Sequence, residues 1–144
     1  MTNEPTVLIA EDNENDIFLL RRALSAANIT MAIDFVRDGQ EAIARLENGR
    51  TTDSIPQLVL LDLKMPKYSG FEVLEWIRAQ PHLKRLIVVV FSTSLFNEDI
   101  NRAYDLGANS YLIKPSDMNE LVSLLEEVQA YWLQANNGPD LRRG

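Results

Sequence analysis

The run Leu58-Val59-Leu60-Leu61-Asp62-Leu63-Lys64-Met65-Pro66 constrains what this chain can fold into more than any other stretch. Four apolar residues pass without interruption into a carboxylate, and then into a turn marked by proline. A short apolar run bounded by turn residues fits a strand buried on both faces, as in a parallel sheet covered by helices. Asp62 then stands at the carboxyl end of that strand. In open α/β sheets ligands bind in the crevice beyond those ends, so Asp62 occupies the working edge of such a fold before any chemistry is assumed. A strand-end aspartate can also merely cap a loop. What decides between the two is which groups the other strand ends bring beside it.

The same strand-then-helix unit recurs along the chain. Thr6-Val7-Leu8-Ile9-Ala10 is an apolar run, and after it Ile17, Leu20, Leu24 and Ala27 recur at helical spacing. Phe18 and Leu19 fall beside that face and either widen the core stripe or stay exposed for a partner. Met31-Ala32-Ile33-Asp34-Phe35-Val36 reads as a second strand ending at the Asp38-Gly39 turn; an amphipathic helix follows over 41–46, closed near Asn48-Gly49, and a polar loop over 50–56. After the central strand a helix over 70–78 turns Phe71, Leu74, Trp76 and Ile77 inward and stops at Gln80-Pro81. Leu86-Ile87-Val88-Val89-Val90-Phe91 is the longest β-branched run and ends in Ser92-Thr93-Ser94, with a helix over 97–106 stopped by Gly107. Asn109-Ser110-Tyr111-Leu112-Ile113 is a fifth strand, ended by Lys114-Pro115 before Ser116 or Asp117 caps the last helix.

That last helix carries Met118, Leu121, Leu125, Val128 and Trp132 on one face, with Val122, Leu124 and Leu133 partly off it. Over about 28 Å its apolar surface exceeds what one sheet contact uses, which fits either an association site or a helix lying along the sheet edge. Asn136-Asn137-Gly138-Pro139 ends regular structure, leaving Leu141-Arg142-Arg143-Gly144 as a basic tail. The expected organisation is one domain over 1–134 and a disordered tail over 135–144. Five strand–helix pairs in strict alternation imply a parallel sheet with right-handed crossovers and helices on both faces, a three-layer α/β/α sandwich.

Composition narrows the chemistry. A chain of 144 residues buries about 68–70% of its unfolded surface without staples, and the absence of cysteine removes disulfide frameworks and thiolate metal sites. Met1-Thr2-Asn3-Glu4-Pro5 lacks the basic and apolar regions of a secretory signal, and no apolar run reaches the length of a membrane span, so a cytoplasmic location is expected. The net charge of −7, with no basic stripe, argues against nucleic-acid binding. Four of the acids lie in Glu11-Asp12-Asn13-Glu14-Asn15-Asp16, directly after the first strand, where they suit a hard cation. The single histidine, His82, follows a proline in a polar stretch and gives no support to His-based metal binding or base catalysis.

Together the strand ends carry Glu11 and Asp12, Asp62, Ser92 with Thr93, and Lys114. Three carboxylates brought close repel one another, which raises a pKa or calls for a cation between them, and Mg²⁺ is the natural one. A metal beside Asp62 neutralises an incoming phosphoryl dianion and lets the carboxylate act as nucleophile. Lys114 then pairs with a second phosphoryl oxygen or simply salt-bridges the acids; Ser92 meets a third oxygen or caps the next helix. Glu11 either touches the metal or orients its waters. A dehalogenase-type phosphatase needs a second acid two residues past the nucleophile, where this chain has Lys64. A flavodoxin-like carrier needs a phosphate loop where Glu11-Asp12-Asn13-Glu14 stands, and no GxxxxGK[ST] motif is present.

An acidic pair after the first strand, Asp62 before a Met-Pro turn, Ser92 after the fourth strand and Lys114-Pro115 after the fifth resemble the receiver domain of two-component response regulators. The resemblance spans about residues 7–133. It implies strand order 2-1-3-4-5 and a single-domain response regulator, not an enzyme beyond assisting its own phosphorylation and autodephosphorylation. Asp62 is then the phosphoacceptor served by a sensor histidine kinase. Asp12, Asp62 and the backbone carbonyl of Lys64 hold Mg²⁺, with Glu11 acting through water; Ser92 is the switch hydroxyl, Lys114 the phosphate-binding lysine with a cis bond to Pro115, and Tyr111 the switch aromatic. The output face is helix 4, strand 5 and helix 5, used for partner binding, dimerisation or passing phosphate onward. Ser92-Thr93-Ser94, Asn101-Arg102-Ala103-Tyr104 and Tyr131-Trp132 are similar to stand-alone receivers paired with phytochrome-type sensor kinases, which implies a homodimer through helices 4 and 5. The alternative is a receiver that docks without being phosphorylated.

Overall fold

The computed structural model describes residues 6–29 and 32–141; the opening pentapeptide, Met31 at the expected start of the second strand, and the arginines of the basic tail lie outside the described residues. In chain order the elements are β1 (Thr6–Ala10), α1 (Glu14–Ala26), β2 (Ala32–Val36), α2 (Gly39–Thr52), β3 (Leu58–Leu61), α3 (Gly70–Ala79), β4 (Ile87–Ser92), α4 (Asn97–Asp105), β5 (Ser110–Ile113) and α5 (Met118–Val128). A π-helical segment, Gln129–Ala135, continues α5. The five strands form one parallel sheet in the order β2-β1-β3-β4-β5, as expected.

Because successive strand side chains face opposite ways, the sheet feeds two cores. Leu8, Val59, Leu61, Val88 and Val90 pack with Leu46, Leu74, Ile77 and Ala103 from α2, α3 and α4. Val7, Ile9, Leu58, Leu60 and Val89 pack with Leu20, Ala23, Leu121 and Leu125 from α1 and α5. All four residues of β3 are buried, so the central strand is covered on both faces as its unbroken apolar run requires. At about 1.5–3 kcal/mol for each fully buried large aliphatic side chain, these two layers hold the sheet, and with it the strand ends, in a fixed arrangement.

Side chains start most of the helices. Asn13 accepts from the Asp16 amide, Asp38 from Glu41 and Asp117 from Asn119. Ser69 and Glu72 form a reciprocal capping box on α3. Phe18 beside the α1 stripe is exposed, with the Arg22 guanidinium 5.8 Å from its ring centroid, while Leu19 is half-buried against the core.

Two elements differ from expectation. α2 runs through Gly49 to Thr52 and reverses at Asp53, which takes the left-handed conformation. Gly49 serves close approach and not termination: the Ser54 amide donates to its carbonyl at 2.9 Å, Arg45 Nη1 donates to the Ser54 carbonyl at 2.9 Å, and a Cβ on Gly49 would lie 3.0 Å from that Ser54 oxygen. The final helix widens after Val128, and the wider coil turns both Trp132 and Leu133 toward the α1/α5 core. With Val122 and Leu124 also half-buried there, much of the surplus apolar face is absorbed within the fold, and Tyr131 stays exposed beside Trp132. Beyond this segment Leu141 packs half-buried against the core of the opposite face.

Candidate functional site

Where β1 stops, the chain still follows the sheet for one residue: the Glu11 amide donates to the Val36 carbonyl at 3.0 Å. This carries the Glu11 side chain into the interior at 1% exposure, with the neighbouring Asp12 facing solvent. Asp62 is aligned in the same way by its amide, which donates to the Ala10 carbonyl at 3.1 Å, and is 8% exposed. From β5, the Lys114 amide donates to the Ser92 carbonyl at 2.8 Å, so its side chain leaves the sheet at the same edge. The β3–β4 register pairs Leu61 with Val90 and thereby sets Ser92 one residue beyond the level of Asp62 on the adjacent strand.

These elements converge. Glu11, Asp12 and Asp62 each present a carboxylate oxygen within 4.8 Å of the others. The Lys114 ammonium bonds Glu11 Oε1 and lies 3.3 Å from Asp62 Oδ2 and 3.4 Å from Asp16 Oδ2. Burial is the main influence that raises the Glu11 carboxyl, from its ordinary 4.5 to about 6; the Asp62 charge pushes the same way, against the Lys114 ammonium and the Asn13 amide. Burial pulls the Lys114 ammonium down, but its bond to Glu11 and the charges of Asp62, Glu11 and Asp16 outweigh it and leave the group raised. Three clustered carboxylates with one resident ammonium form an electron-rich, all-oxygen donor set that a hard divalent cation fits.

Ser92 is buried, and its Oγ accepts from the Ser94 amide at 3.1 Å. Lys64 turns its side chain to solvent, and its amide lies 3.5 Å from Asp62 Oδ1. Tyr111, half-buried against the α2–α4 core, donates its hydroxyl to the Ser94 carbonyl at 2.9 Å. The expected cis bond before Pro115 is not found: the described residues contain no cis peptide bond. The trans form is favoured by about 0.5–1 kcal/mol for an X–Pro bond, and here it already lets the Lys114 amide complete the sheet while its ammonium reaches the acids.

Several contributors escaped the reading by strand ends. Asp16 lies in the first turn of α1, and its acidic neighbourhood in the sequence was a signal, but nothing local aims it at Lys114. Ser94 donates its hydroxyl to Asp99 at 2.6 Å and accepts from the Phe96 amide at 3.3 Å, so it organises the start of α4, whose N-cap Phe96 has no capping side chain. Leu95 and Phe96, directly after it, are each 72% exposed.

The sequence and the fold both have counterparts among known proteins. Residues 7–126 match the family model described as the response regulator receiver domain. The probable methanogenesis regulatory protein FilR2 of Methanothrix harundinacea is 41% identical over 92% of this chain and 86% of its own length. Response regulator Rcp1 of Synechocystis is 35% identical, with 92% of each chain covered, and its Mn²⁺-bound crystal structure superposes with a TM-score of 0.82 over 94% of this chain and 99% of that one. The phosphorylated cyanobacterial phytochrome response regulator RcpA superposes with a TM-score of 0.87 at 37% identity, over 95% of this chain and 99% of that one.

Proposed function

The chain belongs to the response regulator receiver family of two-component signalling, and on that premise we propose that Asp62 is its phosphoacceptor, loaded by a sensor histidine kinase in the presence of Mg²⁺. The observation that carries this reading is the Lys114 ammonium lodged between the carboxylates of Glu11 and Asp62 at the carboxyl edge of the sheet. An Asp62 oxygen attacks the phosphorus, and the donor leaves with the electron pair of the broken bond. Lys114 shifts from the acids to one phosphoryl oxygen, and the Ser92 hydroxyl donates to another, so charge that develops on the transferring group meets partners of the right sign. Glu11, Asp12, Asp62 and the Lys64 carbonyl would hold the cation, which supplies the charge screening that lets a carboxylate approach a phosphate. Mn²⁺ in the related Rcp1 structure supports a divalent ion at such a site.

The hydrogen bonds that run from Ser92 to Ser94 and on to Tyr111 and Asp99 would carry the change at Asp62 to the face made by α4, β5 and α5. That face is the proposed surface for partner binding and for a homodimer through α4 and α5. The likeness to RcpA and Rcp1 supports a phytochrome-type kinase as the upstream partner. Residues 1–134 constitute the receiver, which assists its own phosphorylation and its autodephosphorylation and no other reaction. No helix of the described residues is long and apolar enough to cross a membrane.

Incubation with Mg²⁺ and acetyl phosphate, read by intact mass, tests the assignment. Wild type gains one phosphoryl adduct and Asp62→Asn gains none; an adduct on both proteins, or on neither, refutes it. Sedimentation of the two forms tests the dimer.

A further inference from the structure

The ammonium at the site has a third carboxylate neighbour that phosphoryl transfer to Asp62 does not itself require. Asp16 sits in the first turn of α1 with its amide held by Asn13 Oδ1 at 3.0 Å, so its place is fixed by the helix cap. Its side chain is 39% exposed, and its Oδ2 lies 3.4 Å from Lys114 Nζ. The same ammonium has Asp62 Oδ2 3.3 Å away. The two Oδ2 atoms are therefore no more than about 7 Å apart and share the lysine. A cavity of about 40 Å³ lies among Asp16, Phe91, Lys114 and Pro115, room for the lysine stem to shift.

We infer that Asp16 is a positioning residue for the phosphorylation reaction: it holds Lys114 toward α1, and its charge sets the balance between affinity for the divalent cation and affinity for the phosphodonor. This rests on the assignment of Asp62 as phosphoacceptor. In the step concerned, an Asp62 oxygen forms a bond to phosphorus as the bond from phosphorus to the acetate oxygen breaks, and acetate leaves with the electron pair. One carboxylate charge is thereby exchanged for a phosphoryl dianion beside Lys114. Asp16 touches neither the reacting atoms nor the acid cluster that would ligate metal. It acts through Lys114, which it draws away from the phosphoryl oxygens, and through its own field, which repels the dianion and attracts the cation.

The two effects have opposite signs, and a purely structural role gives no such signature. Between a unit charge and a double charge at most about 7 Å apart in a wet, salt-screened crevice, the interaction amounts to at least about a threefold change in affinity. Two measurements on wild type, Asp16→Asn and Asp16→Glu read it: calorimetric titration with Mg²⁺ alone, and the acetyl phosphate dependence of Asp62 adduct formation at saturating Mg²⁺. Asp16→Asn is expected to weaken Mg²⁺ binding by about threefold and to lower the half-saturating acetyl phosphate concentration by about threefold, both differences shrinking in about 1 M salt. Asp16→Glu keeps the charge and returns both values toward wild type. The inference is overturned if both affinities move in the same direction, if neither moves, or if Asp16→Glu behaves like Asp16→Asn. Wild type that takes no adduct at Asp62 overturns the phosphoacceptor assignment and this inference together; normal loading of wild type with an unchanged Asp16→Asn overturns this inference alone.

Discussion

Replacing Lys114 with methionine keeps the length of the buried stem and removes the only cation bonded to the Glu11 carboxylate among the described residues. In wild type the Glu11 carboxyl is raised from 4.5 to about 6. Below pH 4.5 it is protonated in the folded and unfolded chains alike and costs nothing. As pH rises through about 6 the folded state must ionise a buried group, and a shift of that size takes away about 2 kcal/mol. Lys114, raised in the folded state chiefly by its bond to Glu11 and the neighbouring carboxylate charges, works in the opposite direction: while Glu11 is ionised its contribution is complete below the ordinary lysine value and is lost as pH climbs through the raised one, and protonation of Glu11 below about pH 6 removes most of it. In Lys114→Met the burial of Glu11 and the charge of Asp62 remain while the opposing ammonium is gone, so the Glu11 carboxyl moves above 6. Stranding one partner of a buried ion pair costs about 3–5 kcal/mol; the lower figure applies because Asp12 and Asp16 keep the cluster in touch with water. Lys114→Met is therefore expected to lose about 3 kcal/mol at pH 8 and less than about 1 kcal/mol at pH 4.5. Urea unfolding followed by the fluorescence of Trp76 and Trp132 at a series of pH values measures this. Added Mg²⁺ should raise the midpoint of the variant more than that of wild type, since the cation no longer competes with an ammonium. A loss of equal size at all pH values, or none at pH 8, would show that Lys114 does not hold the acids in their ionised state.

Three further substitutions have outcomes set by backbone contacts in the fold. Arg78 donates to the carbonyls of Leu83, Lys84, Leu86 and Gly107 and to Asn109 Oδ1, so Arg78→Ala leaves several acceptors without a donor and should cost about 3 kcal/mol in thermal or chemical unfolding, with Asp62 still phosphorylated. A Cβ on Gly70 would fall 2.2 Å from the Asp62 carbonyl oxygen and 2.8 Å from Leu63 Cα, both backbone, so Gly70→Ala should destabilise by more than about 3 kcal/mol and slow acetyl phosphate loading by displacing Asp62 itself. Tyr111→Phe removes the bond to the Ser94 carbonyl; about 1 kcal/mol is lost and amide exchange at the start of α4 quickens, while loading of Asp62 is unchanged.

The alternation of buried strand and amphipathic helix, the carboxylate at the end of β3 and the hydroxyl run at the end of β4 were all legible in the sequence, because periodicity and turn chemistry are properties of a few neighbouring residues. So was the sandwich, since five strand–helix pairs admit few other arrangements. Gly49 misled for the same reason: locally it reads as a stop, yet the reversal that uses it belongs to Ser54 and Arg45. Periodicity left the strand order open, and only the family resemblance supplied it. Tertiary structure alone decided that Lys114 meets Glu11, 103 residues away, and Asp62, 52 residues away. The same holds for Asp16 turning to that lysine, for Arg78 reaching Gly107, and for the trans bond before Pro115. Such contacts depend on which strand lies beside which, and on how far each runs before its backbone leaves the ladder. No local rule sets those distances; they are fixed only when the two apolar layers close on the sheet.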